Sequence, residues 1–433
     1  MLNALSNSRR THYSDELFSA TGAVTVMGWV VSVRGHGNIS FLTLKDKNGT
    51  IQIVCKKDSC SADLFEKLST LKVHTSVGIV GTVVKSPKAP NGIELVPQDV
   101  LIFSESKKIP PFEPFAQDIK NIDTRLEVRS INLRRNVLLD IFNIRSLVLK
   151  NIRNYFYDQQ FIETNTPKII SSATEGGSAL FSIFYYNKPA FLAQSPQLYK
   201  EQLVMSFEKV FEIAPIFRAE ASRTNRHLSE AISIDLEEAY VDYNNIMVRV
   251  EGIIRTSADA VNLYLKANSE SKIAPVVIPD IIPRYSYTEL IDKIRTSGKT
   301  LEFGDNLYPS LLQKIGLKGF YFIKDWPLGP KPFYVKSSDS DENISESFDL
   351  MYGDLELSSG SSRIFDSDEL KQRMTNKGLK TESFQYHLSA FDFGVPPHAG
   401  CGIGLERLLM ALTNTTNIRD VTLYPRDVDR LTP

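Results

Sequence analysis

Cysteine is scarce in this chain, with three residues among 433, at positions 55, 60 and 401. An odd trio excludes a fully paired disulfide framework, and the paired CxxC spacing of a structural zinc site is missing. A reducing compartment is the expectation. No apolar stretch approaches the roughly 20 residues that a bilayer-spanning helix needs, and the start, MLNALSNSRRTHYSDEL, lacks the long apolar region of a signal peptide. The expected location is therefore cytoplasmic, with no membrane partner. A dominant charge is also lacking, since 50 Lys and Arg stand against 51 Asp and Glu for a formal charge of -1. That balance excludes a polycation that coats nucleic acid through bulk charge, so any such contact must be a local patch. With 23 Gly, 21 Pro and 42% hydrophobic residues, collagen-like, low-complexity and wholly disordered chains are excluded. The length suggests two or three domains with sizeable cores, and no internal repeat is present.

Residues 24 to 55 alternate apolar and polar in VTVMGWVVSV, ISFLTLKD and TIQIVC, broken by the turn signals GHGN and KNG, which predicts a β-meander. Two further runs, SVGIVGTVV and GIELVPQDVLIF, bring the total to about five strands, enough for a small barrel. Between positions 107 and 153 lie ten basic and five acidic residues, opening with KKIPPFEPF, which reads as a hinge followed by a helix. The expected division is 1–105 for the barrel, 106–133 for the hinge and 134–433 for the larger domain. Leu138, Ile141, Phe142, Leu147, Val148, Ile152 and Phe156 keep close to helical spacing, and the segment ends in QFIETNTPKI, an extended stretch stopped at Pro167. Downstream, the strand-like runs KPAFLAQ, KVFEIAPIF, ISIDLEEAYV and PFYVK mix with helical ones, which suggests an α+β domain on an antiparallel sheet. SSDSDENISES at 337–347 reads as a solvated loop.

Three constellations carry chemistry. In FRAEASRTNRHLSEAISIDLEEAY, residues 217 to 240, Arg218, Glu220, Arg226 and His227 surround a polar turn between two apolar β-like runs. Guanidinium and imidazole donors suit a triphosphate, and a carboxylate suits an exocyclic amine such as that of adenine. In GVPPHAGCGIGLERLLMAL, residues 394 to 412, glycines lead into a helix with Leu405, Leu408, Leu409 and Leu412 on its apolar side. Arg407 lies off that stripe in the first turn, where free N–H groups and the helix dipole favour an anion. The glycines permit close approach of a nucleotide to the backbone, and the pattern is neither GxGxxG nor the Walker phosphate loop. In FDLMYGDLELSSGSSR, residues 348 to 363, Asp349 and Glu356 straddle a turn and precede a Ser/Gly loop ending in Arg363. Two carboxylates can share Mg²⁺ with substrate phosphates, and an arginine can grip a carboxylate bidentately. Each constellation alone is compatible with ordinary surface charge; their coincidence in one domain is not.

Together these residues resemble the signature motifs of the class II aminoacyl-tRNA synthetases, specifically the aspartyl group in its compact archaeal and eukaryotic form. FIETNTPKI resembles motif 1, whose proline lies at the dimer interface; FRAE with TNRHLSE resembles motif 2, and GIGLERLL motif 3. The ending TLYPRDVDRLTP and the early RTHYSDEL are also similar to that group, so the resemblance covers essentially the whole chain. It implies an α+β fold, an antiparallel sheet flanked by helices, with an N-terminal OB-fold barrel that binds the anticodon. The implied activity is a condensation of an amino acid with ATP to an adenylate, followed by transfer to the 3'-terminal ribose of tRNA, by a homodimer. By the family's pattern Arg218 contacts the α-phosphate and the substrate carboxylate, Glu220 the adenine, and His227 and Arg407 the γ-phosphate. Ala219, Arg226, Leu228, Gly404, Leu405 and Glu406 complete the ATP site, and Asp349 and Glu356 hold Mg²⁺ with Ser359.

The resemblance extends to the amino acid. Glu175 in TEGGSALF matches a mobile loop that closes on it, and Asp235 in SID matches the acid that receives its ammonium. Gln197 and Lys200 come from QSPQLYK, and Lys200 with Arg363 matches the pair that holds the side-chain carboxylate of L-aspartate, with Ser359 nearby. Asparagine-specific relatives lack the lysine, because a cation facing a neutral amide has no counter-charge. In the barrel Phe41 matches a residue that stacks on a base, Gln52 one that hydrogen-bonds the central uridine, and Arg34 an RNA contact; an inward-facing Phe41 is the alternative, and Trp29 is expected in the core. Strictly discriminating members tend to carry Trp just after GWV and Lys in the PKAK turn, where this chain has Val31 and Pro90. That departure implies the type that aspartylates both tRNA-Asp and tRNA-Asn, with an amidotransferase acting on the misacylated product. A discriminating aspartyl enzyme, an asparagine-specific paralogue and a catalytically silent RNA-binding protein are the alternatives.

Overall fold

A computed structural model describes residues 9–115, 121–171 and 180–433. The chain divides into two compact units, 1–135 and 136–433. In the first, strands β1 (Ala23–His36), β2 (Ile39–Lys45), β3 (Thr50–Lys56), β4 (Ser76–Lys85) and β5 (Ile93–Ser104) close into a ring in the order β1-β2-β3-β5-β4. Period-two alternation sends Val24, Val26, Leu42, Leu44, Ile51, Ile53, Val77, Ile79 and Leu95 inward, as the meander pattern predicts. The helix Ala62–Thr70, capped by Ser61, which accepts from the Leu64 amide, adds Leu64 and Leu68 to that core.

Two barrel residues sit where sequence reasoning left a choice or erred. Phe41 lies between the buried Ser40 and Leu42 and is half-buried on the outer face, so it is not a core residue. Trp29 is half-buried rather than in the core, because the strand alternation turns it outward between the buried Gly28 and Val30, where the Arg134 guanidinium covers its ring at 4.2 Å.

The second unit is built on an eight-stranded sheet. In chain order its strands are β6 (Ile162–Glu163), β10 (Lys209–Phe217), β11 (Glu230–Ala239), β12 (Arg284–Ser286), β13 (Phe320–Lys324), β14 (Ser347–Tyr352), β15 (Leu355–Ser362) and β16 (His398–Gly404). Their spatial order is β12-β13-β14-β15-β16-β11-β10-β6, antiparallel throughout except for the two edge pairs. A small separate sheet holds β7 (Ile169–Ile170), β8 (Ser182–Tyr185) and β9 (Lys188–Leu192). The expected α+β class, with an antiparallel sheet flanked by helices, is what forms. PFYVK is the exception among the expected strands, making only an isolated bridge between Val335 and Arg363. SSGSS, expected as a loop, is strand β15: Gly360 lets the chain lie so close to Cys401 and Phe348 that a Cβ there would come within 2.6 Å of both. In the acidic stretch, residues 339–343 are exposed, but Ser345 and Ser347 are buried, with the Ser345 amide bonded to the Trp326 carbonyl.

One sheet face is apolar. Ile234, Leu236, Phe348, Leu350, Ala399, Cys401 and Ile403 pack there against three helices: Asn136–Asp158, Tyr243–Ala267 and Leu405–Thr413. The long predicted helix thus buries Leu138, Ile141, Ile144, Val148, Ile152 and Phe156 on one stripe. Alternate residues of β11, β15 and β16, among them Ser233, Asp235, Ser359, Ser361 and Gly402, line a cavity on the opposite face. Where the first two helices cross, Gly252 admits Tyr155, and a Cβ at that position would lie 2.4 Å from the phenol oxygen and 2.7 Å from ring carbons. The ring cannot yield without parting the helices, so Gly252→Ala is expected to cost about 1–3 kcal/mol by overpacking. Denaturant unfolding measures this; an unchanged midpoint contradicts the packing described.

Candidate active site

The cavity, about 490 Å³, lies over β11, β15 and β16. At one end, β10 and β11 form the hairpin that the sequence implied, its connection closed by the Arg218 amide donating to the Ser229 carbonyl at 2.9 Å. Arg218, Glu220, Arg226, His227 and Leu228 all line the cavity from this turn; Ala219, between them, is half-buried. Arg226 is already engaged, donating to the Asp354 carboxylate at 2.8 Å and to its carbonyl at 3.1 Å. β16 runs directly into the helix Leu405–Thr413, which sets Arg407 in the first turn. Its Nη1 donates to the Glu356 carbonyl at 3.1 Å, which holds the guanidinium over the cavity. Burial pushes the Arg407 guanidinium below its ordinary range. Burial, and then Arg407, lower the His227 imidazole too, so that ring is neutral at neutral pH and donates through a single N–H.

Three residues of the third motif meet because of a β-bulge. Leu350 pairs with Ser358 but Met351 with Glu356, which makes Leu357 the extra residue and turns Glu356 and Ser359, three apart, to the same side. Asp349 pairs with Ser359 across the strands. Its carboxylate is buried, with Oδ1 lacking a hydrogen-bond partner among the described residues and Oδ2 3.8 Å from Lys331 Nζ. Glu356 is half-exposed, to the cleft rather than to bulk solvent; the surrounding protein and then the Asp349 carboxylate raise its carboxyl above the usual range. A buried unpartnered oxygen beside a second, repelled carboxylate fits a divalent cation bound through two acids and phosphate oxygens. Among the described residues, no group of three or more His, Cys, Asp or Glu side chains forms an all-protein metal cage.

At the other end are four buried charges. Lys200 Nζ donates to Asp235 Oδ1 at 3.1 Å and to the Cys401 carbonyl at 3.1 Å, and lies 3.2 Å from Glu237 Oε2. Arg363 holds Glu237 through Nε at 2.8 Å and Nη2 at 3.2 Å, with Nη1 on the Ser361 hydroxyl. Asp235 and Glu237 raise the Lys200 ammonium above its ordinary value although burial opposes them, and Glu237 does the same for Arg363. Asp235, Arg363 and Gln197 line the cavity, whereas Lys200 stands behind that wall. Gly400 has a different use from the one its motif implied: a Cβ there would lie 2.0 Å from Glu237 Oε2, so this glycine admits a carboxylate rather than a nucleotide.

Two motif residues are tied up elsewhere. The Leu405 side chain is fully buried in the core, leaving only its backbone for a ligand. Glu406 accepts from Arg145 at 3.0 Å and from the Ile232 amide at 2.9 Å, which clamps the helix to β11. Gly404 lines the cavity, and Glu175 lies outside the described residues. On the barrel, Arg34 is exposed and pairs in register with Phe41, and Gln52 with Thr43, on the same outer face. Gln52 Nε2 donates to Glu94 at 2.8 Å. Val31 is the extra residue of a bulge between Val30 and Ser32, and Pro90 is exposed in the connection between β4 and β5.

Sequence reasoning missed Glu237, Lys331 and Asp354. For Glu237 the signal was present, since it stands two residues after Asp235 on a strand and therefore on the same face. Removing it leaves Lys200 with Asp235 alone and takes from Arg363 the carboxylate it holds, so Glu237→Ala is expected to destabilise the protein by about 3–5 kcal/mol. Equilibrium denaturation reads this directly, and a loss below about 1 kcal/mol, the value of an exposed pair, contradicts it.

Comparison with known proteins agrees with this geometry. Residues 121–428 match the family model of the class II tRNA synthetases (D, K and N), and residues 24–103 that of the OB-fold nucleic acid binding domain. The chain is 42% identical over 433 residues, 98% of each chain, to the aspartate–tRNA(Asp/Asn) ligase of Methanocaldococcus jannaschii. It is also 42% identical to the ligase of the same name from Methanothermobacter thermautotrophicus, covering 99% of this chain and 100% of that one. Among solved structures, asparaginyl-tRNA synthetase from Pyrococcus horikoshii with asparaginyl-adenylate superposes with a TM-score of 0.90 at 28% identity, covering 98% of this chain and 99% of that one. Aspartyl tRNA synthetase from Entamoeba histolytica gives 0.86 at 30% identity, covering 98% and 93%. With the family model spanning the sheet domain and the relatives spanning the whole chain, this protein belongs to the class II aminoacyl-tRNA synthetases of the D, K and N group.

Proposed function

We propose that this chain condenses L-aspartate with ATP to aspartyl-adenylate and transfers the aspartyl group to the 3'-terminal ribose of both tRNA-Asp and tRNA-Asn. The observation that carries the choice of amino acid is the buried wall of Asp235, Arg363 and Lys200 at one end of the cavity. Arg363 has five N–H donors, three of which are engaged. The others suit the side-chain carboxylate of aspartate, with Lys200 adding positive charge from behind. Asp235 receives the ammonium, and Gln197, Ser359 and Glu175 serve the same substrate. Asparagine, with a neutral amide, leaves that positive charge unmatched.

No enzyme nucleophile is needed. The α-carboxylate of aspartate attacks the α-phosphorus of ATP in line, and pyrophosphate leaves; the protein aligns the two and stabilises the developing charge. Arg218 serves the α-phosphate and the carboxylate, Glu220 the adenine amine, and Arg407 and His227 the γ-phosphate. Arg226, fixed by Asp354, borders the phosphates, while Ala219, Leu228, Gly404 and the Leu405 backbone shape the nucleotide site and Glu406 anchors the helix that carries Arg407. Asp349, Glu356 and Ser359 would hold Mg²⁺, which when bound neutralises phosphate charge. The unpartnered Asp349 Oδ1 supports that assignment.

Residues 1–105 serve as the anticodon domain, 106–133 as the hinge and 134–433 as the catalytic domain, in a cytoplasmic homodimer. Exposed Tyr157, Ile162 and Ile169, beside edge strand β6 and Pro167, supply apolar surface for a second copy. Arg34, Phe41 and Gln52 read the anticodon. Val31 and Pro90 stand for relaxed discrimination, in accord with the (Asp/Asn) in the names of relatives that match nearly the full length. A tRNA-dependent amidotransferase then acts on aspartyl-tRNA-Asn.

Charging purified tRNA-Asp and tRNA-Asn transcripts with labelled aspartate tests this reading; both are expected to be aspartylated, and charging of tRNA-Asp alone discards the roles of Val31 and Pro90. Arg407→Ala and Glu356→Ala are expected to abolish aspartate-dependent pyrophosphate exchange. Gln52→Ala should leave exchange intact and weaken tRNA charging, and equal losses in both assays contradict that division of labour.

A further inference from the structure

Behind the amino-acid pocket lies a second buried polar cluster that the chemistry above does not use. The helix Gln197–Phe207 turns Gln197, Lys200 and Glu201 to one face, as spacings of three and four require. Glu201 is fully buried, yet among the described residues no Lys or Arg pairs with it. Its Oε1 accepts from Gln197 Nε2 at 2.6 Å. Its Oε2 faces two buried imidazoles, His387 Nε2 at 3.5 Å and His398 Nε2 at 3.9 Å. These three atoms, all buried and otherwise without hydrogen-bond partners, converge on one another.

The neighbours assign the protons. Gln202 Nε2 is a donor and lies 3.2 Å from His387 Nδ1, so Nδ1 accepts and the proton sits on Nε2, aimed at Glu201. His398 Nδ1 lies 2.8 Å from the Pro396 carbonyl, and its Nε2 is turned toward the same carboxylate. Burial alone would raise the Glu201 carboxyl, but the two histidines hold it far below the usual range. Lys200 on the same helix, Asp235 and Glu237 on β11 and Arg363 beyond β15 are charged groups of the adjoining amino-acid end of the cavity.

We propose that Glu201, held by His387 and His398, is a positioning residue that fixes the rotation of the Gln197 amide, and through it the binding of aspartate. An amide has nearly isosteric ends. With Nε2 committed to a buried carboxylate, Gln197 offers its carbonyl to the cavity it lines, and a carbonyl accepts from a substrate ammonium but repels a carboxylate. Glu201→Gln can bond to either end of Gln197 and so loses that choice while keeping the volume. This inference rests on the reading that Gln197 touches aspartate.

The test is a double-mutant cycle on aspartate-dependent pyrophosphate exchange, using Gln197→Ala, Glu201→Gln and both together in the full chain. Glu201→Gln is expected to raise KM for aspartate on the order of tenfold, the equivalent of about one hydrogen bond to a charged group, with KM for ATP and kcat within about threefold. In the Gln197→Ala background it should add nothing. An unchanged KM for aspartate, a parallel rise in KM for ATP, or additive effects overturn the proposal. An aspartate KM unmoved by Gln197→Ala alone instead overturns the reading beneath it. His387→Leu, which removes the Nε2 donor without touching the cavity, supplies the same readout if Glu201→Gln fails to fold: a smaller rise in KM for aspartate that vanishes without Gln197 supports the proposal, and no rise overturns it.

Discussion

Two cations and two carboxylates share one wall of the catalytic sheet with almost no water. Lys200, Arg363, Asp235 and Glu237 are each at most 5% exposed. Such a group is costly unless every charge is paired, since moving ions out of water costs several kcal/mol each and only good geometry returns it. Here the pairing sets the surrounding architecture. Glu237 needs Gly400 opposite it, because any side chain there would collide with its carboxylate. Lys200 needs the carbonyls of Leu236 and Cys401, which fixes its helix against β11 and β16. The run of small residues in β15 and β16 thus clears space for charge.

The same strands show how one sheet serves two masters. Odd-numbered positions of β11, Ser233, Asp235 and Glu237, belong to the polar side, while Ile234 and Leu236 pack on the helices. The bulge at Leu357 is the one break in this alternation along β15, and it lets Glu356 and Ser359 act together near Asp349. Arg407 then ties the helix beyond β16 to the same strand through the Glu356 carbonyl. The two ends of the cavity are therefore built on the same strands.

Much of this was legible in the sequence. The barrel strands largely alternate, the helix Asn136–Asp158 keeps helical spacing, and the hairpin with Arg218 and His227 has apolar runs on both sides of a polar turn. The rest was hidden for identifiable reasons. SSGSS looks like a loop because small polar residues usually signal one, yet here they form a strand for close packing with β16. Trp29 looks like core, yet its place in the strand turns it outward, where Arg134, over a hundred residues away, covers it. Glu237 was readable from its spacing to Asp235, but which cations it meets depends on β11, β15 and the helix Gln197–Phe207 coming together. Lys200 carried the right charge, yet its place behind the cavity wall is a tertiary fact.

The central claim is that this wall selects a second carboxylate on the amino acid. Pyrophosphate exchange with the unaltered protein, run in parallel with aspartate and with asparagine, tests it most directly, because exchange needs neither tRNA nor the barrel. The account predicts exchange with aspartate and little or none with asparagine at equal concentration. Exchange with asparagine equal to or above that with aspartate would contradict it.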